Sequence, residues 1–361
     1  MAQRKTKTKE LDALLDAIDA AGNAEEFEVE GHKIAVSNLN KVLWPGTADH
    51  EPVTKRDYIR YLVQVSEYLL PHLKDRPLTL IRYPNGVEGK KFFQKHWEHK
   101  KPEFVDTIML YSEHSKSDGE FITCSNVATL VWLGQLADLE LHTTHTRTNP
   151  EPDGKKLGTT FTGSVANIDS SLMNYPDFVV LDLDPYMYSG KEKKGEEPEL
   201  HKEGFEKTCE IAAALKENLD KLNVEAFVKT SGRTGLHIYV PIVRNIEYDM
   251  VRSIAEVIGR HLLKQHPKEV TMEWSVSKRT GKIFFDHNMN GRGKTLPSPY
   301  SARNSVQATI STPVDWKELP KIYPTDFTIW NVPKRLEKKG DIWSDILEHK
   351  NNMEKLKKTT E

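Results

Sequence analysis

Cysteine is almost missing from this chain: 361 residues hold two, Cys124 and Cys209, far apart in sequence. A disulfide framework or a cysteine zinc cluster is therefore excluded, and a reducing, cytoplasmic setting is predicted. Long apolar runs are missing too. Nothing approaches the roughly 20 residues of a membrane-spanning helix, so no membrane role is expected. The opening MAQRKTKTKE is basic but leads into no apolar stretch, so no secretory leader is expected either. Net charge is scarce, since 51 Lys and Arg against 53 Asp and Glu leave −2. The global basic excess common in nucleic-acid binders is absent. No internal repeat is visible.

Charge is nevertheless uneven. Between Lys278 and Arg303 stand Lys278, Arg279, Lys282, Arg292, Lys294 and Arg303, against the single Asp286. A local basic footprint survives inside a neutral total. With 37% hydrophobic and 29% charged residues the chain suits a globular protein with a sizeable core.

Periodicity predicts a helix over 10–21 and two short strands around Gly31. A helix N-capped near Thr54 should end by Pro71. Strands are expected at 77–84 and 91–97, and a helix running into a strand over 126–142. Residues 143–176 are polar and rich in Thr, Asn, Gly and Pro, so they are expected to form a loop or lid. Strand 177–185, a charged loop at 189–199 and a helix around 204–222 follow. Strand–turn–strand over 226–242, a helix at 248–265 and a strand at 282–286 complete the pattern. The charged residues 334–361 are expected to form a partly helical C-terminal tail, and residues 1–30 an N-terminal helical extension. Alternation of strands and helices predicts an α/β or α+β fold around a central sheet.

The chemistry begins at DFVVLDLDP, residues 177–185. In a strand, residues two apart share a face and lie about 6.5 Å from each other. Asp182 and Asp184 therefore share a face with Phe178 and Val180, while Val179, Leu181 and Leu183 fill the other. Adjacent carboxylates repel unless a cation neutralises them or one stays protonated. Oxygen-only donors suit hard cations such as Mg²⁺ or Mn²⁺. A third acid is wanted, and Asp286, closing KIFFD, has the matching setting. The competing reading is that acids at a strand end cap a turn, which Pro185 marks.

SGRTGLH, residues 231–237, supplies Ser231, Arg233 and His237 around Gly232 and Gly235, a composition suited to phosphate oxygens. An ordinary glycine hairpin with a structural histidine is the alternative. NGRGKT, residues 290–295, is not a Walker A loop, because Asn288 stands where the first glycine belongs. Its Arg292 and Lys294 remain candidates for a nucleic-acid backbone or a phosphate.

In order along the chain, DLD at 182–184, SGRTGLH at 231–237 and FFD at 284–286 resemble the three motifs of the archaeo-eukaryotic primase superfamily. VSNLNKVLWP (36–45), RPLTLIRYPNGVEGKKFFQKH (76–96) and PYSAR (299–303) narrow the resemblance to the polymerase domain of prokaryotic non-homologous end-joining DNA ligase D, over about residues 34–330. The resemblance implies a primase-polymerase catalytic domain over 31–333, with central mixed sheets flanked by helices and catalytic acids on adjacent strands. It implies nucleotidyl transfer at DNA gaps and broken ends in end-joining repair, by two Mn²⁺ or Mg²⁺ ions, from NTPs or dNTPs with ribonucleotides preferred.

Carried over position by position, Asp182, Asp184 and Asp286 are the implied metal ligands. Ser231, Gly232, Arg233, His237, Arg279, Arg303, His142 and Arg82 are the implied nucleotide contacts. Asn38, Lys41 and Lys55 match a pocket for the 5′-phosphate of the downstream strand, and Phe92 and Phe93 an aromatic pair at the template base. Thr234 stands where some members carry a lysine, with Arg233 beside it to take that place. The implied partners are gapped duplex DNA, a Ku protein and a separate ATP-dependent DNA ligase, because the chain is expected not to seal nicks itself. A cytoplasmic, nucleoid-associated prokaryotic protein is the implied setting. A primase of the same superfamily and a non-catalytic DNA-end-binding module are the alternatives. A D-x-D phosphohydrolase fits less well, since Pro185 and Tyr186 follow the acids.

Overall fold

The computed structural model describes residues 2–48, 50–185, 188–190 and 200–353, and the side chains from residue 9 onward. Two sheets dominate. The larger has six strands in the spatial order Val270–Thr271, Ile283–Asp286, Phe178–Asp184, Leu236–Pro241, Phe227–Thr230 and Pro313–Val314. All neighbours run antiparallel except the first pair, which is parallel. The smaller sheet orders Thr295–Pro297, Asp138–Thr144, Leu78–Arg82 and Phe92–Gln94. Eight α-helices accompany them among the described residues. The mixed α/β expectation holds.

Strand Phe178–Asp184 sits in the middle of the larger sheet and is apolar on both faces, as buried strands are. Val179, Leu181 and Leu183 point into the main core, with Phe205 and Leu215 of helix Lys202–Lys221 and Val251 and Leu262 of helix Tyr248–Gln265. Phe178 and Val180 point the other way, into a smaller cluster with Tyr239, Leu296, Trp343 and Ile346. The period-two reading of DFVVLDLD is therefore realised, and the acids continue the face that begins with Phe178 and Val180.

Several expectations need correction. The helix begins after Thr54, whose hydroxyl accepts from the Asp57 N–H while Asp57 answers in a capping box. It breaks at Val65, and a second helix, Ser66–Leu73, runs through Pro71 instead of stopping there. Burial of Leu69, Leu70 and Leu73 outweighs the one hydrogen bond that Pro71 cannot give. Residues 143–176 are no lid over the cleft described below, because none of them lines it. They are pinned by charge: the buried Arg244 guanidinium donates to Asp153 Oδ1 (2.8 Å) and to the Asn149 carbonyl (2.8 Å). Arg76 and Arg147 meet on the buried Asp177.

The described part of the charged C-terminal segment, up to residue 353, packs on the body. Trp343 and Ile346 fill the smaller cluster and Met353 reaches the main core. Residues 191–199 of the expected charged loop lie outside the described residues. Hairpin Thr107–Ser112/Ser117–Ile122 was not expected. The last turn residue and the start of the second strand read Lys116-Ser117-Asp118-Gly119, which spells the Lys-x-Asp-Gly pattern of nucleotidyl-lysine ligases, so sequence letters alone do not exclude nick sealing. Here Lys116 is an exposed turn residue at φ 54°, and Asp118 accepts from the Gly163 N–H (2.8 Å). The tetrapeptide closes a turn and opens a hairpin strand.

Candidate active site

Register places the acids. Asp182 lies directly opposite Asp286 on one neighbouring strand and opposite His237 on the other, and His237 lies opposite Lys229 on the next. Residues directly opposite in an antiparallel pair share a face, so Asp286, Asp182, His237 and Lys229 form one row across four strands. Asp184 follows Asp182 on the same face. The middle of this row floors a cleft of ≈ 400 Å³ between the two sheets, lined by Asp182, Asp184, Ser231, Thr234, His237 and Arg303, while Asp286 and Lys229 flank it without lining it. From the smaller sheet and its flanks come His142, Phe93, Lys95 and Lys294. A larger cavity of ≈ 880 Å³ lies between the N-terminal helix and the Ala24–Ser37 hairpin, and gathers no comparable chemistry.

Burial, then the charges of Asp184 and Asp286, pushes the Asp182 carboxyl well above the usual carboxylate range. Burial raises Asp184 as well, while Thr234 donates to its Oδ1 at 2.7 Å. Asp286 Oδ1 accepts from the Asn288 N–H (2.9 Å). His237 Nε2 stands 3.6 Å from Asp182 Oδ1. Burial, then the neighbouring Lys229 and Arg303, lowers the His237 pKa well below its ordinary value. As the side chains stand, no group of three or more His, Cys, Asp or Glu among the described residues forms a ready metal cage. What the strands provide is three carboxylates on one sheet face, unsatisfied by any adjacent lysine or arginine ion pair among the described residues.

Ser231 is built for donation. Its Oγ accepts from the backbone N–H groups of Arg233 and Gly235, both at 3.1 Å, which leaves its own proton for the cleft. The glycines of this turn serve packing. A Cβ on Gly235 would stand 2.1 Å from the Leu183 carbonyl, and one on Gly232, at φ +74°, would stand 2.6 Å from Arg303 Cγ. Arg303 crosses that bare backbone to donate to the Ser231 carbonyl (2.5 Å) and to Glu140 Oε2 (2.8 Å). Glu140 also holds His142 Nε2 at 3.0 Å and accepts from the Tyr83 hydroxyl. Burial opposes its ionisation, yet Arg303 and His142 hold its carboxyl well below the usual range.

The other expected residues divide. Arg279 is adjacent rather than inside: it stacks 3.5 Å over Phe284, the cross-strand partner of Asp184, and donates to the Glu273 and Trp274 carbonyls. Arg233 reaches Asn304. Arg82 does not join the cleft; it donates to Gln94 and lies 3.5 Å from the buried Asp138, on the face of its strand opposite Thr79. The aromatic pair splits in the same way. Phe93 is 66% exposed and lines the cleft, whereas Phe92 belongs to the other face.

Arg292 is tied to Glu113 and Asp169, which leaves Lys294 as the loop's cleft cation. Asn38, Lys41 and Lys55 do come together: the Lys41 N–H donates to the Asn38 carbonyl and the Lys55 N–H to the Lys41 carbonyl. Lys55 is buried, with its ammonium on the Ser37 and Gln135 carbonyls. Nearby, Trp44 donates its indole N–H to the Arg303 carbonyl (2.9 Å), linking this corner to the cleft.

Sequence reasoning missed Lys229, Glu140, Thr234 and Lys95. The first two had a signal, Lys229 following Phe227 and Val228 in its strand and Glu140 standing between Leu139 and Leu141.

The family model for the LigD primase-polymerase domain matches residues 54–343. The chain belongs to this family. It is 28% identical over 310 residues to the bifunctional non-homologous end joining protein LigD of Bacillus subtilis strain 168, covering 85% of this chain and 43% of that protein. It is 28% identical over 316 residues to the multifunctional LigD of Mycolicibacterium smegmatis, covering 87% and 36%. The chain thus spans less than half the length of these curated relatives. Among solved structures, the polymerase domain of Mycobacterium tuberculosis ligase D in complex with DNA superposes with a TM-score of 0.71 at 27% identity, over 87% of this chain and 98% of that one. Mixed sheets and eight described helices fit this LigD polymerase fold.

Proposed function

We propose that this LigD-family chain is a template-dependent nucleotidyltransferase that adds NTPs or dNTPs, ribonucleotides in preference, to 3′ ends at DNA gaps and breaks during non-homologous end joining. The observation that carries the reading is Asp182, Asp184 and His237 on the floor of a cleft that also holds Ser231 and Arg303, with Asp286 directly across the strand from Asp182. Three carboxylates gathered on one sheet face, with Asp182 pushed up by burial and by the charges of Asp184 and Asp286, are a donor set for hard dications. Asp182, Asp184 and Asp286 would hold two Mn²⁺ or Mg²⁺ ions, which supply Lewis-acid stabilisation of the attacking and leaving oxygens.

The chain's own residues supply the rest. The Ser231 hydroxyl and the His237 Nε2 side face the position of a triphosphate. Arg303, anchored on Glu140, offsets its charge without swinging. Arg279, beside Asp184, adds a second fixed cation. Phe93 offers a π-face that stacks on any template base, worth about 1–3 kcal/mol per base. Lys95 and Lys294 supply sequence-independent attraction for phosphate. Asn38, Lys41 and Lys55 take the downstream 5′-phosphate. Ku and a separate ligase are the proposed partners in a prokaryotic cytoplasm.

Primer extension on a gapped duplex tests the reading. Wild type is expected to extend with Mn²⁺ or Mg²⁺, and the Asp182→Ala/Asp184→Ala variant to lose at least about a hundredfold in rate while still binding DNA. Undiminished extension by the double variant overturns it.

A further inference from the structure

One buried carboxylate on the smaller sheet holds two of the cleft's side chains at once. Glu140 is 2% exposed, in strand Asp138–Thr144 between Leu139 and Leu141 of the main core. It stands two positions before His142, so the two share a face of the strand. Glu140 Oε2 accepts from the Arg303 Nε–H (2.8 Å) and meets His142 Nε2 at 3.0 Å. Oε1 accepts from the Tyr83 hydroxyl (3.1 Å) and from the Asn304 N–H (3.2 Å). A carboxylate offers about four lone-pair sites, and these partners take them all. Nothing remains for a metal ion or a substrate, so Glu140 is not a fourth acid of the metal set.

Its work lies in what it fixes. The bond to Nε holds the Arg303 side chain, and the bond to the Asn304 N–H holds the backbone beside it, so Arg303 is gripped at both ends. From that grip Arg303 Nη1 reaches the Ser231 carbonyl (2.5 Å), which carries the contact from the smaller sheet to the serine turn of the larger one. Arg303 and His142 both line the cleft. The proposed DNA contacts hang on other partners, Lys41 on Asn85 and Lys95 on the Gly293 carbonyl.

We propose that Glu140 is a positioning residue: by holding Arg303 and His142 from one carboxylate, it sets the nucleotide site before the nucleotide arrives and governs nucleotide affinity apart from DNA affinity. The proposal rests on the polymerase reading for the ligand that Arg303 and His142 meet, but not for the clamp itself. Glutamine at 140 keeps the shape but turns an amide N–H toward partners that already donate, so at least one grip must open.

Nitrogen-15 spectra of arginine-labelled wild type, with Arg303 assigned by its loss in Arg303→Lys, read the clamp without nucleotide. The Arg303 Nε–H is expected to be protected from solvent exchange, and to lose that protection in Glu140→Gln. A freely exchanging Arg303 Nε–H in wild type overturns the proposal, and this result needs no Glu140 variant to fold. In primer extension, Glu140→Gln is expected to raise the KM for the nucleotide roughly tenfold or more, with the KM for unphosphorylated gapped duplex unchanged. Glu140→Asp, which keeps the charge on a shorter stem, should fall between that variant and wild type. Arg303→Lys should cost little more in the Glu140→Gln background, because the grip it removes is already open. A lowered melting temperature with an unchanged nucleotide KM marks a merely structural carboxylate and overturns the proposal, as do fully additive losses in the double variant. A protein that keeps the protected Nε–H yet extends no primer with any nucleotide refutes the polymerase reading alone.

Discussion

At the scale of the residue, the Gly235 backbone touches the strand that carries the acids. The Leu183 carbonyl lies between Asp182 and Asp184 in sequence, and a methyl group on Gly235 would stand 2.1 Å from its oxygen. Gly235→Ala is therefore expected to destabilise the fold by about 1–3 kcal/mol and to lower extension more than its stability loss explains, because the strand that must move holds the acids. Thermal melts and primer extension on the same preparation check this. Wild-type stability would contradict the packing role. SGRTGLH invites a phosphate-loop reading, and the glycines prove to be places where Arg303 and Leu183 pass close by. Local sequence does not contain that information, since Leu183 and Arg303 are distant in sequence from Gly235 and Gly232. Thr234 is similar: a residue that looks like a lost lysine holds Asp184 instead.

At the scale of the element, the period-two pattern of DFVVLDLD made the central strand and the face of its acids legible, because burial on both sides leaves no freedom of register. The helix over 248–265 was equally legible from its spacing. Short pairings were not. Val42–Trp44 with Val53–Thr54, and Thr295–Pro297 on the edge of the smaller sheet, are too brief for any period to show. The helical part of the charged C-terminal residues was expected and is Val332–Lys339, but its charges gave no sign that it uses them to dock.

In that helix Arg335 and Lys339 both donate to Glu318. The hydrogen bond from Arg335, against partial burial, lowers the Glu318 carboxyl to about 2 from the ordinary 4.5. A carboxylate lowered in the folded state stabilises above its unfolded pKa, and that contribution disappears as pH falls from about 4.5 toward about 2. Glu318→Gln is expected to flatten the pH dependence of the melting temperature across that window. An unchanged slope would contradict the docking role.

At the scale of the whole molecule, two sheets face each other across one cleft, with apolar packing at one end and the acid row at the other. The Lys41 corner is joined to the cleft through Trp44 and the Arg303 carbonyl, and under the proposed function this link would couple a downstream phosphate to gap filling. A 5′-phosphate on the downstream strand is expected to raise both affinity and fill-in rate. Lys41→Ala should erase most of that gain while leaving extension of unphosphorylated gaps unchanged. Equal behaviour of phosphorylated and plain gaps in wild type would contradict the coupling.

Mn²⁺ uptake is the most direct test of the claim on which everything else stands, that Asp182, Asp184 and Asp286 act together on divalent ions. Free Mn²⁺ is followed by electron paramagnetic resonance as wild type and Asp182→Asn are titrated. Wild type is expected to remove Mn²⁺ from solution, and the variant to bind at least tenfold more weakly. Identical uptake by the two proteins would contradict the account.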